Sequence, residues 1–182
     1  MTEIDCPPDC VYLAVAREHP PAAAVRQQQH DYAVLVRALA DFNRRQAQLF
    51  LAINTVIARY APPELQVVVD DDVIDAAAAL ASTYETAARG VIYEHRAATS
   101  AGERLGAAIR AMLREVEGSA GSTFERDVAV VLRRVEQTAR AAHASSEGDR
   151  RAYFKLLDRL LSRREEPSEA EGDRDSPRLI LP

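Results

Sequence analysis

Tryptophan is absent, lysine occurs once, at Lys155, and the only cysteines are Cys6 and Cys10. Each scarcity closes off a class of explanation. Seven glycines, none in a Walker or dinucleotide pattern, leave no loop to cradle a phosphate. No Gly-x-Ser-x-Gly elbow marks a hydrolase nucleophile. No apolar run approaches the roughly 18 residues needed to cross a bilayer, so no membrane partner is expected. Residues 1–10 lack the basic and apolar regions of a secretory signal. The cytoplasm is the expected location, and reduced thiols there disfavour a Cys6–Cys10 disulfide. Clustered cations are missing as well. The net charge is −5, and the arginine pairs Arg44-Arg45 and Arg133-Arg134 have acidic neighbours. They read as solvated faces, so no nucleic-acid partner is expected.

What is present is aliphatic. Hydrophobic residues make up 47% of the 182 and aromatics only 5%. The length suits one domain, and a domain near 150 residues buries about 70% of its unfolded surface. The predicted fold is all-α, an antiparallel bundle of four to five helices. A short cysteine-containing hook, residues 1–20, precedes the bundle at 21–164, and residues 165–182 form an acidic linker and an apolar peptide.

Leu35, Leu39, Phe42, Gln46, Leu49, Ile53, Val56 and Tyr60 recur alternately four and three apart, a heptad seam that Val25, Gln28 and Tyr32 extend backwards. One long helix from Pro21 to near Tyr60 is therefore expected, stopped by Pro62 and Pro63. The β-branched LQVVV, 65–69, reads as a short extended link. A second helix begins at Asp70-Asp71-Asp72, where carboxylates favour the positive end of the dipole. It carries the rows Val73, Ala77, Leu80, Tyr84, Ala87, Val91 and Ile74, Ala81, Ala88, with Gly90 inside it. The pairs Ser100 with Glu103 and Ser122 with Glu125 are capping boxes that open two further helices. The first carries Leu105, Ile109, Met112 and Val116; the second carries Phe124, Val128, Val131, Val135 and Ala142. A short fifth helix carries Tyr153, Phe154, Leu157, Leu160 and Leu161. Beyond Arg164 the composition turns charged and proline-containing, as in a disordered linker, before Leu179-Ile180-Leu181-Pro182.

Three places invite a functional reading. Cys6 and Cys10, stiffened by Pro7 and Pro8, face one point if Asp9 caps a short helix, and His19 or His95 would complete a metal site, zinc first and iron second. Against this, three residues separate the cysteines where two are usual, and His19 lies about 13 Å along such a helix. Two buried thiols anchoring the hook are the plainer alternative. Glu94 and His95 fall on the inward rows of the second helix, but the Glu-x-x-His spacing of di-iron bundles is missing because Ile92 stands three before His95. Tyr93, Glu94 and His95 are instead expected to form a polar layer closing the bundle. The third place is the acidic spacer ending in Leu179, Ile180, Leu181 and Pro182, the layout of a docking peptide for a partner or for this chain's own groove. The sum is a non-enzymatic interaction protein, adaptor or scaffold, with a metal-binding bundle as the alternative.

Overall fold

The computed structural model describes residues 22–62, 67–117, 121–146 and 148–165. Within them six helices pack around one hydrophobic core, and there is no strand: α1 (Ala22–Leu39), α2 (Arg44–Arg59), α3 (Asp70–Ala87), α4 (Ser100–Glu117), α5 (Gly121–Ala144) and α6 (Ala152–Glu165). The hook and the acidic peptide lie outside the described residues.

Six helices replace the expected four to five because the long first helix is broken. Asp41 adopts a left-handed φ of 66°, and the helix restarts behind Asn43. Asn43 accepts from the Gln46 amide at 2.9 Å while the Gln46 side chain accepts from the Asn43 amide at 3.2 Å. This capping box satisfies two N–H groups that a continuous helix would have paired with carbonyls. Gln46 is thus a cap rather than a seam residue, and it also donates to Asp127 of α5 at 2.8 Å. Upstream of the break the seam loses its partner: Gln28 and Tyr32 are exposed.

Alanine-rich α3 permits close approach, and α3 with α5 forms the most extensive helix pair. Phe124, Val128, Val131 and Val135 of α5 and Val73, Ala77 and Leu80 of α3 are all buried in the shared core. On α4 the buried row is Leu105, Ile109 and Leu113, whereas Val116, expected in the core, is half exposed. Threonine 99, one residue before the expected Ser100, caps α4 by accepting from the Gly102 amide at 2.9 Å. Glu103 reaches back to the Ala97 amide instead.

The second correction concerns α3. It stops at Ala87, and Gly90 ends the turn at φ 80°, a conformation that costs glycine little. Residues 91–97 then return along α3 as an extended strap held by two threonines. The Thr86 hydroxyl donates to the Tyr93 carbonyl at 3.3 Å, and the His95 amide donates to the Thr83 hydroxyl at 2.9 Å.

The acidic start of α3 does more than face a dipole. Asp70 is fully buried and its carboxylate accepts the Tyr153 amide at 3.2 Å, while its own amide donates to the Arg150 carbonyl at 2.9 Å. It therefore caps α6 from another helix and sets where that helix begins. Burial pushes the Asp70 carboxyl above its usual range, partly offset by the amides at the start of α6 and by His143. Asp72 accepts from the Thr99 hydroxyl and Asp75 from the Thr99 amide, which ties the end of the strap to α3.

Candidate functional site

Fixing the start of α6 at Asp70 lays one apolar stripe of that helix alongside α1 and α2. Leu156, Leu157, Leu160 and Leu161 supply one wall, spaced to share a helix face. Val34, Leu35 and Leu39 on the last turns of α1 form the facing wall, with Phe50 and Leu51 of α2 beneath. The walls do not close. Helix α1 makes its main contact with α5 rather than with α6, leaving a groove of about 400 Å³. Leu35 and Leu39 belong to the heptad seam, so the groove is that seam's unsealed part.

One clasp spans the α1–α6 gap. Arg159 donates to both oxygens of Asp31, at 2.6 and 2.9 Å, and Gln27 donates to the same carboxylate at 2.8 Å. Asp31 is only 4% exposed. Burial pushes its carboxyl up, but the hydrogen bonds from Arg159 and Gln27 outweigh burial and hold it below the usual range. The Arg134 guanidinium secures the C-terminal end of α1 by donating to the carbonyls of Arg37 and Ala38, and it lies over the Phe42 ring at 5.0 Å. Arg133 meanwhile pairs with Glu85 and Glu136. Arg133 and Arg134, two of the four arginines expected on solvated faces, are thus half-buried tethers.

At the groove floor the polar groups already have partners. The Tyr153 hydroxyl donates to Asn54 Oδ1 at 2.5 Å, and the Asn54 amide donates to the Phe50 carbonyl at 2.8 Å. The Thr138 hydroxyl donates to the Arg134 carbonyl at 2.7 Å. Burial, and after it the charge of Asp70, pushes the Tyr153 hydroxyl far above its ordinary value, so it stays neutral. Among the described residues, Tyr153 is the one ionisable side chain lining the groove. The site has the character of an apolar receptor: shape and burial without a group poised to move a proton.

A larger cleft of about 660 Å³ lies between the end of α3 and α5, lined by Arg89, Arg126, Arg133 and Arg134. Two of these four arginines are committed to the tethers described above, and Glu85, Ala88, Ala129, Val130 and Gln137 complete the lining.

The residues singled out from sequence fall as follows. Cys6, Cys10 and His19 lie outside the described residues, as do Leu179, Ile180, Leu181 and Pro182. His95, Glu94 and Tyr93 sit on the strap rather than on a helix. Tyr93 and Glu94 are exposed, and Glu94 pairs with Arg110 of α4. The His95 ring meets the Tyr93 ring edge-on at 4.7 Å, and its Nε2 is buried without a hydrogen-bond partner. Among the described residues no three His, Cys, Asp or Glu side chains converge in metal-binding geometry. Sequence reasoning missed Asp31, Asn54 and Asp70 as structural anchors. The available signal was a polar residue one step from an aliphatic row, as in Ile53-Asn54.

No protein-family model matches the chain, and no curated protein or solved structure is significantly similar to it.

Proposed function

We propose that this is a non-enzymatic helical interaction protein, an adaptor or scaffold, whose heptad face receives a short aliphatic peptide of the Leu-Ile-Leu type in the α1–α2–α6 groove. The single observation that supports this reading is the pairing of an unsealed aliphatic groove with a floor whose hydrogen bonds are already satisfied. Such a surface rewards burial of apolar side chains and offers a substrate no titrating group. Three buried aliphatic side chains contribute about 2 kcal/mol each, and ordering costs offset part of that, so high-micromolar affinity is expected.

The test is binding of a fluorescent peptide of residues 175–182, DSPRLILP, followed by anisotropy. Leu39→Asp and Leu160→Asp, both on groove walls, should each weaken binding at least tenfold, with helicity checked by circular dichroism. Val130→Asp, on an exposed face of α5, is the control and should leave binding unchanged. Equal binding by all three variants would overturn the reading. The competing proposal, a zinc- or iron-binding bundle using Cys6, Cys10 and His19 or His95, requires stoichiometric metal in the purified protein.

A further inference from the structure

Building on the groove reading, we infer that the groove's resident occupant is the chain's own segment Leu179–Pro182, folded back in cis, so that a partner peptide binds by displacing it. The spacing of the chain supplies the first argument. Thirteen residues, 166–178, separate the end of α6 from this segment. A flexible chain of that length has a root-mean-square span of about 20 Å. The α6 residues that line the groove lie between about 6 Å (Leu161) and 18 Å (Tyr153) back from Glu165, at a helical rise of ~1.5 Å per residue. Reach and target match, the condition under which a tethered segment attains its highest effective concentration, on the order of millimolar.

Size and chemistry agree with the reach. Three residues in extended conformation would cover about 10 Å, at ~3.3 Å per residue, against about 12 Å of groove-lining α6 from Tyr153 to Leu161. Pro167 stands two residues beyond the end of α6, and a proline lacks the amide proton that a further helical turn would use. The spacer carries Glu166, Glu169, Glu171, Asp173 and Asp175 against Arg174 and Arg178, a net charge of −3. It has no apolar group larger than alanine or proline, so only the segment beyond it has side chains to bury.

Other occupants fit less well. The apolar run Val11–Ala16 joins α1 through five residues, 17–21, at the helix end remote from the groove. From Ala22 to Val34 is about 18 Å, and five residues span at most about 18 Å when fully extended. A second copy of the chain at micromolar concentration cannot match a millimolar tether.

The experiment uses full-length protein and the labelled 175–182 peptide. The variant Leu179→Asp/Ile180→Asp/Leu181→Asp removes the internal competitor and leaves every described helix untouched. It should bind the peptide about tenfold more tightly than the unaltered chain, and adding Leu160→Asp should abolish that gain. Equal affinity for the two chains overturns cis occupancy while leaving the groove reading intact. Binding to neither chain overturns the groove reading itself. An unaltered chain that sediments as a dimer, with the triple variant monomeric, overturns the proposal in favour of exchange between copies. Relief of competition by Val11→Asp/Leu13→Asp, with none from the triple variant, overturns it in favour of the N-terminal segment.

Discussion

Replacing Tyr153 by phenylalanine removes one oxygen atom from the centre of the fold. Its hydroxyl donates to Asn54 Oδ1 where the two residues are 1% and 3% exposed, so water cannot replace the lost donor. The change forfeits a net hydrogen bond of about 1 kcal/mol and strands an acceptor at a further cost of about 1–2 kcal/mol. A total near 2–3 kcal/mol is a large share of the ~5–15 kcal/mol that holds a domain folded. At about 2–4 °C per kcal/mol, the melting temperature should fall by roughly 5–10 °C. Asn54→Leu alone should cost a similar amount, since it strands the tyrosine hydroxyl instead. The double variant Tyr153→Phe/Asn54→Leu removes both polar partners, so its loss should be smaller than the sum by at least about 1 kcal/mol. Urea unfolding of the four full-length chains, followed by circular dichroism, measures this coupling. The aromatic ring remains in place, so binding of the 175–182 peptide to Tyr153→Phe should change by less than twofold. A neutral Tyr153→Phe, or strictly additive losses, would refute the claim that the groove floor is satisfied from within.

The same glycine-to-alanine change should have opposite signs on α4. At Gly106 a new Cβ meets Leu80 at an ordinary 3.9 Å, and gaining alanine's helix propensity should stabilise by about 0.5–1 kcal/mol. At Gly102 it would stand 2.9 Å from the Thr99 hydroxyl and 3.2 Å from the Asp72 carbonyl, so the cap is displaced and stability falls by about 1 kcal/mol. Thermal melts of the two variants check both signs. The depressed Asp31 carboxyl contributes stability fully present above its usual 3.8 and lost as pH falls through its lower folded value. The raised Asp70 carboxyl works the other way, its contribution being lost as pH rises from 3.8 through its folded value. Stability measured against pH should therefore respond oppositely to Asp31→Asn and Asp70→Asn. The Asp31 effect should be about 1 kcal/mol or less, because Arg159 is 42% exposed and screened by solvent. His95→Leu removes a buried nitrogen that has no partner, so denaturant unfolding should find equal or higher stability, by up to about 1 kcal/mol.

Helix type was legible in the residues, and so were most core rows. Four-three spacing identified Leu49, Ile53, Phe124, Val128, Val131 and Val135, all of which are buried. Boundaries were less legible, because one pattern supports two structures. Leu39, Phe42 and Gln46 continue a heptad whether the helix runs on or restarts, and only Asn43 paired with Gln46 signals the restart. Gly90 likewise suits a costly helix interior or a left-handed stop, and the stop is the cheaper of the two. The groove could not be read from sequence. Leu35, Leu39, Leu160 and Leu161 are ordinary helix-face leucines. Their incomplete cover follows from Asp70 capping a helix some eighty residues away and from α1 resting on α5. Tertiary tethers of this kind leave no local periodicity.

The central claim is that one surface, between α1, α2 and α6, receives aliphatic peptide. Methyl resonances of the full-length Leu179→Asp/Ile180→Asp/Leu181→Asp chain, titrated with unlabelled 175–182 peptide, test it most directly. The account predicts shifts at Leu35, Leu39, Leu157, Leu160 and Leu161, with Val116 and the exposed strap residue Ile92 unmoved. Shifts centred on Ile92 and Val91, or no saturable shift in any methyl group, would contradict it.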